Sequence, residues 1–494
     1  MASRGGTLAP VGIVTGPGVI QREQLVGQLR DARPWDVLVI GGGATGLGIA
    51  VDAAARGYRT ALIEARDFSS GTSSRSTKLV HGGVRYLAQG NVKLVREALA
   101  ERALLLANAP ELVHPLEFIV PCYRLFEREF MRIGLGMYDA LAGRRGIGAT
   151  RWLSSAQTRE RLPGVRSQGL QGGVAYWDGQ FDDARLAIAL MRTAIGLGAT
   201  VLNYVRVERI AVDGDRVQRV VAVDDESGER FELRAKAVFN AAGVWVDAIR
   251  RLADSNAAPL ITVSRGSHIV LDRRFMPGES GLMIPKTPDG RVLFGIPWHG
   301  RLIVGTTDVP ADGPAWDPKP AESEIEFILD TARGYLSTPP SRADVLSAFA
   351  GLRPLFSPGA HGATKTISRE HAIVIEQGNL LTVTGGKWTT YRRMALDALA
   401  QATRRGLLDQ RPCTTENLRL AIDPTLETAH RTAEVSAARG DAAGLQAYFH
   451  LAVEREQARR AEDLLARRLR VGLLQDGLTE QLLPAATAAL GAVR

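Results

Sequence analysis

The sequence predicts an α/β fold, mixed α+β in its second half: a parallel sheet interleaved with antiparallel strands and followed by a helical region. Three observations predict it. The apolar run Asp36–Ile40 leads directly into a Gly-rich turn and then an apolar-periodic helix. Short strand-like segments between Thr200 and Leu233 have the spacing of an antiparallel meander. From Leu396 onward the chain is Ala/Arg/Leu-rich with helical periodicity.

The chain has 494 residues, more than the ~250–300 at which chains split into domains, so two or three domains are expected. Its 45% hydrophobic and 23% charged residues exclude disordered and fibrous classes. Lys+Arg 61 against Asp+Glu 53 leaves a net charge of +8. That excess suits a phosphate-bearing ligand or an anionic membrane surface and does not imply nucleic acid. The two cysteines, Cys122 and Cys413, have no metal-ligand spacing, so neither a disulfide framework nor a metal site is expected. No uncharged apolar run approaches the ~20 residues of a membrane-spanning helix. Residues 1–34 lack a secretory apolar core and read as an N-terminal extension.

The first element carries the clearest chemistry. In Gly41-x-Gly43-x-x-Gly46 the first glycine permits the tight turn and the second admits a pyrophosphate. The third lets the helix pack closely on the sheet. The helix N-terminus, at Ala44 and Thr45, presents unpaired N–H groups to phosphate. Gly57 closes that helix, and Thr60–Glu64 forms the next strand, ending on an acid placed to accept from ribose hydroxyls. The unit binds a dinucleotide, FAD or NAD rather than NADP.

Next comes a hydroxyl-rich segment, Phe68 to Leu87. Thr72, Ser73, Ser74, Ser76 and Thr77 supply donors to a pyrophosphate or a ring edge, with Lys78, Gly82 and Gly83 beside them. Asp182–Leu197 reads as a helix with Leu186, Leu190 and Ile195 on one face. Strands are expected at Thr200–Val207, Arg209–Val212, Val217–Val223 and Phe231–Leu233, then at Ile261–Leu271, Arg291–Pro297 and Arg301–Val304. Within the helical region, Leu451–Leu474 carries Arg459, Arg460, Arg467, Arg468 and Arg470, a face suited to anionic lipid or to solvent.

The run Thr72–Leu87 resembles the flavin-contacting segment of FAD-dependent glycerol-3-phosphate dehydrogenases, a quinone-linked family. Further segments of that family recur in order: Tyr176–Arg185, Asn240–Trp245, Gly266–Val270, Ile296–Trp298, Gly305–Asp308, Gly351–Leu355, Ile367–Arg369 and Gly385–Tyr391. The resemblance runs from about Trp35 to about Ala400; the tail is shorter than the family's usual cap and shows no calcium-loop pattern.

The resemblance implies an amino-acid-oxidase-like flavoprotein. Its FAD-binding, Rossmann-like domain (35–110, 175–258 and 345–400) interleaves with an antiparallel-sheet substrate domain (111–174 and 259–344), and 401–494 forms a helical cap. It adds Ala65, Val207, Ala242, Gly243, Trp245, Gly386, Lys387, Trp388, Thr389 and Thr390 to the FAD contacts, with Gly385–Thr390 closing over the flavin. It implies oxidation of sn-glycerol 3-phosphate to dihydroxyacetone phosphate, with electrons passed to a quinone. Its partners are thus glycerol 3-phosphate, a quinone, an anionic membrane surface on which a cytoplasmic enzyme lies peripherally, and a second copy in a homodimer. The same motifs serve an oxidase using O₂.

The residues fit that chemistry. A phosphomonoester of charge about −1.5 to −2 is best held by several guanidinium and ammonium donors. Arg85, Arg353, Arg369 and Lys387 lie in Gly- or hydroxyl-rich motifs rather than amphipathic helices, and Tyr86 adds a hydroxyl. Hydride transfer from C2 needs a base for the C2 hydroxyl proton, usually histidine. His81 and His268 are the candidates, while Arg353, always protonated, would orient the hydroxyl. The sequence leaves open which group takes the proton. A clamp for a carboxylate, as in amino-acid oxidases, would need fewer cations.

Overall fold

A computed structural model describes residues 12–14, 16–83, 90–124, 127–287, 289–358 and 370–493. Its first layer is a six-stranded sheet in the order His371–Glu376, Leu380–Gly385, Ala235–Asn240, Trp35–Ile40, Thr60–Ile63, Thr200–Leu202. All neighbours run parallel except the first pair. Val37, Leu38 and Val39 expose no surface, as a strand covered on both faces requires. Helices Ala44–Ala55, Asp183–Gly196 and Tyr391–Arg404 cover one face. Gly48 permits that packing, since a Cβ there would lie 2.8 Å from the Tyr391 ring. Helix Arg22–Leu29 and a three-stranded meander (Val205–Asp213, Arg216–Asp224, Arg230–Leu233) cover the other face.

The expected run Thr200–Val207 is divided. Thr200–Leu202 joins the parallel sheet, and the chain turns at Tyr204 (φ 57°) into a strand that absorbs Arg209–Val212. The side chains hold that turn. Asn203 bonds to Asp67 and to the Gln457 carbonyl, and the Tyr204 hydroxyl donates to Asp463.

The second layer is a ten-stranded, largely antiparallel sheet. Ile261–Asp272 pairs with Arg301–Gly305 on one edge and along its length with Val345–Phe356 on the other. Leu79–Val80 and Gly172–Phe181 also belong to this sheet. The sequence-based boundaries assign these two and Val345–Phe356 mainly to the nucleotide-binding segments. Ladder pairing, which periodicity does not reveal, puts all three in the second sheet. Helix Glu322–Arg333 packs Ile325, Ile328 and Leu329 against Ile269, Leu271 and Val304.

Helices Pro424–Ala438, Gln446–Glu456 and Leu478–Val493 form a third body around Tyr448, Phe449, Leu464 and Leu482. Leu451–Leu474 is not one helix. Gln457 and Arg470 take left-handed conformations (φ 52° and 54°), and Asp463–Arg468 is a π-helical turn. Most of its arginines are also paired within the protein. Arg467 and Arg468 each reach Asp67 at 2.6 Å, Arg470 bridges Asp182 and Glu434 at 2.5 and 2.8 Å, and Arg459 pairs with Glu226 at 2.7 Å. A buried guanidinium needs a carboxylate partner, and much of that partnership comes from the nucleotide-binding layer. Arg460 is the exposed member, lying over the Tyr204 ring at 4.1 Å. Among the described residues no helix is long and apolar enough to cross a membrane.

His299 sits at the turn between Leu293–Trp298 and Arg301–Gly305, 3.2 Å from Glu434 and 3.8 Å from Asp182. Burial works against its charge, but hydrogen bonds to Asp182 and Glu434 outweigh it and raise its pKa.

Two outcomes follow. Asp67→Asn strips the shared carboxylate from Arg467 and Arg468 and should destabilise the protein by about 3–5 kcal/mol, read in denaturant unfolding. The raised pKa of His299 means that its stabilisation is full below about pH 6.5 and fades as pH rises through the raised value. His299→Gln should therefore lower the thermal midpoint more at about pH 6 than at about pH 9.

Candidate active site

A cavity of about 610 Å³ is lined from both sheets. On the parallel side the chain leaves Ile40 through Gly41 (φ 110°). A Cβ at Gly46 would lie 1.9 Å from the Gly41 carbonyl oxygen, and one at Gly41 would lie 2.7 Å from that of Ala241. Only glycine fits either place. Gly41, Gly43, Ala44 and Thr45 line the cavity, and Gly46 sits behind them in the helix. A helix N-terminus facing the cavity favours an anion there.

Glu64 follows the second strand. Its carboxylate accepts from the Gly42 and Arg66 N–H groups at 2.6 and 2.8 Å. Burial nonetheless pushes its pKa up. Glu64 and Ala65 line the cavity with Val207, Ala242, Gly243 and Trp245. Trp245 stacks on Trp316 at 3.8 Å, and Arg66 lies over Trp316 at 4.2 Å.

The hydroxyl-rich segment is a fixed loop rather than a flexible linker. Ser73 Oγ accepts from the Ala44 N–H at 3.0 Å, and its carbonyl accepts from Trp388 Nε1 at 2.8 Å. Thr72 Oγ1 donates to the Leu352 carbonyl, and the Ser76 hydroxyl donates to Asp183 at 2.7 Å. Lys78, expected beside the cofactor, is instead fully buried. Its Nζ donates to both Asp183 oxygens at 2.8 Å and to the Ser74 carbonyl at 2.7 Å. A lysine with no access to solvent needs such a partner. Its effect is to tie the loop to helix Asp183–Gly196. Thr72, Ser73, Ser76, Thr77 and Gly83 line the cavity, while Ser74, Gly82 and Thr390 lie behind its surface.

The second sheet supplies Arg353. Its guanidinium donates to the Thr306 hydroxyl at 3.0 Å and the Thr307 carbonyl at 3.2 Å, with Asp308 at 3.5 Å. Gly266 makes the room, because a Cβ there would lie 2.1 Å from Arg353 Nη2. Gly386, Lys387, Trp388 and Thr389 line the same cavity.

The two histidines differ. His268 is 2% exposed, stacks on Phe349 at 4.7 Å and has Nε2 3.0 Å from the Thr77 hydroxyl. Burial, then Arg353 and Lys78, push its pKa well below 6.5, so it is neutral at pH 7. His81 is partly exposed on the cavity wall. Arg85, Tyr86 and Arg369 lie outside the described residues.

Sequence reasoning did not single out Tyr176, Asp178, Met283, Val292, Phe294 and Trp316, all of which line the cavity. Strand alternation offered one signal: Tyr176 and Asp178 lie two apart and so on one face.

The sequence profile of the FAD-dependent oxidoreductases matches residues 36–392. A mitochondrial glycerol-3-phosphate dehydrogenase of Arabidopsis thaliana is 46% identical over 78% of this chain and 64% of its own length. The human mitochondrial enzyme of that name is 42% identical over 80% of this chain and 56% of its own. The chain thus spans less than two thirds of either relative. The glycerol-3-phosphate dehydrogenase of Bacillus halodurans, solved with FAD, is 29% identical with a TM-score of 0.74, over 96% of this chain and 93% of that one. An FAD-bound glycerophosphate oxidase of Mycoplasma pneumoniae, 16% identical with a TM-score of 0.59 over 78% and 98%, shares the fold.

Gly266→Ala must displace the Arg353 guanidinium. Loss of one charge-assisted contact should weaken the cavity's affinity for an anion such as inorganic phosphate by about tenfold or more, measured by calorimetric titration.

Proposed function

The chain belongs to the FAD-dependent oxidoreductase family, and from that premise we propose that it oxidises sn-glycerol 3-phosphate to dihydroxyacetone phosphate. The observation that carries this reading is Arg353, oriented by Thr306, Thr307 and Asp308 in the same cavity as Lys387, His81 and the Gly41–Thr45 turn. The named activity of the curated relatives supports it.

FAD, when bound, supplies the acceptor for the hydride leaving C2. The Gly41–Thr45 turn and the Ser73 and Thr77 hydroxyls would hold its pyrophosphate and Glu64 its ribose, while Thr72 and Ser76, whose hydroxyl protons go to the Leu352 carbonyl and Asp183, hold the loop in place. Arg353 and Lys387 hold the substrate's anionic end and align its hydroxyl, joined by Arg85, Tyr86 and Arg369. A general base works best with a pKa near the operating pH. The strongly depressed pKa of His268 makes it a poor one, so it serves as a neutral wall that fixes Thr77. His81 takes the proton. The electrons pass to a quinone, which implies a peripheral position on the inner, quinone-bearing membrane; a homodimer completes this reading.

Anaerobic addition of glycerol 3-phosphate should bleach the bound flavin's absorbance. Reoxidation should then be fast with a soluble quinone and slow with O₂. A flavin that stays yellow overturns the proposed substrate, and rapid reoxidation by O₂ alone overturns the quinone acceptor.

A further inference from the structure

Behind the His81–Gly83 turn lies a closed set of buried polar groups to which the mechanism above gives no role. The chain leaves the strand Leu79–Val80, paired to Gln180 and Gly179, and bends to the cavity wall at His81. The Gly82 N–H donates to the Tyr138 hydroxyl at 2.7 Å and to Asp178 Oδ1 at 3.3 Å. Tyr138 donates in turn to Asp178 Oδ2 at 2.8 Å, and Arg102 donates to Asp178 Oδ1 at 2.8 Å. From another direction Thr389 Oγ1 accepts from the His81 N–H at 3.1 Å. A Cβ at Gly82 would lie 2.4 Å from the Tyr138 hydroxyl, so the turn has no slack.

Arg102 alone would neutralise Asp178, so charge balance does not require the tyrosine. Burial and the Asp178 charge push the Tyr138 pKa well above 10, and the hydroxyl keeps its proton. That proton points to the carboxylate, which leaves a Tyr138 lone pair for the Gly82 N–H. Donation thus runs from peptide to phenol to carboxylate, and the carboxylate also accepts from the Arg102 guanidinium. Asp178, though it lines the cavity, has both oxygens engaged and is not a spare base.

We infer that Arg102, Asp178 and Tyr138 are positioning residues that anchor the His81–Gly82 peptide and so aim the His81 imidazole into the cavity. The inference rests on the reading of His81 as the proton acceptor. Tyr138→Phe holoenzyme should keep its flavin, while flavin reduction at saturating glycerol 3-phosphate slows by about tenfold to a hundredfold, the penalty of a roughly 1 Å misplacement. Half-saturation should move by less than about threefold, and the pH profile of reduction should shift. Histidine-selective NMR of the holoenzyme, with His81 assigned by its loss in His81→Asn, should show a moved resonance and titration midpoint in Tyr138→Phe. Unchanged reduction with an unmoved resonance overturns the inference. Should Tyr138→Phe fail to fold, Arg102→Lys, which keeps a cation against Asp178, carries the test: slowed reduction supports the anchor and a wild-type rate overturns it. If wild-type flavin is never bleached, the proposed substrate fails, and the His81 resonance still decides the anchor.

Discussion

The carboxylate of Asp67 holds together parts of the protein that share no sheet. It has no exposed surface, lies in the loop just past Glu64, and receives Arg467, Arg468 and Asn203. The same arginines continue inward, Arg467 to Asp463 and Arg468 to the Glu456 carbonyl. Glu456 in turn pairs with Arg185 on the helix that packs beneath the nucleotide-binding sheet. Buried charges in such a series add little net stability over apolar packing, but any one left alone is expensive. The series therefore fixes a register. The C-terminal helices can dock in one way only, and docked so they hold the loop that leads from Glu64 into the hydroxyl-rich segment.

A similar economy governs the cavity. Lys78 and Asp183, both without solvent access, order the loop whose neighbouring hydroxyls line the cavity. Gly266 has no side chain so that Arg353 can lie across it.

The parallel strand, the Gly-rich turn, the acid after the second strand and the ordered motifs were legible from spacing, because each is a local pattern. The C-terminal arginines were not. Their interleaving with Glu454, Glu456, Glu462 and Asp463 looks like a solvated face, whereas Asp67, Asp182 and Glu226 come from far away in the chain. Lys78 misled for the same reason: its motif context suggests phosphate, while its partner arrives from Asp183. Val345–Phe356 shows the limit for strands: it was not among the strands expected from the sequence, and its pairing with Ile261–Asp272 is a distant contact that local pattern does not carry.

The interleaving also bears on how the molecule is made. The innermost pairing, Trp35–Ile40 with Ala235–Asn240, joins segments separated by four strands of the second layer. The Asp67–Arg468 contact closes over 401 residues. Such distant closures fold slowly and leave apolar strand edges open meanwhile. On the ribosome, Trp35–Ile40 finds Thr60–Ile63 on one side early and waits for Ala235–Asn240 on the other. The cofactor-binding half thus depends on late-made chain for its completion.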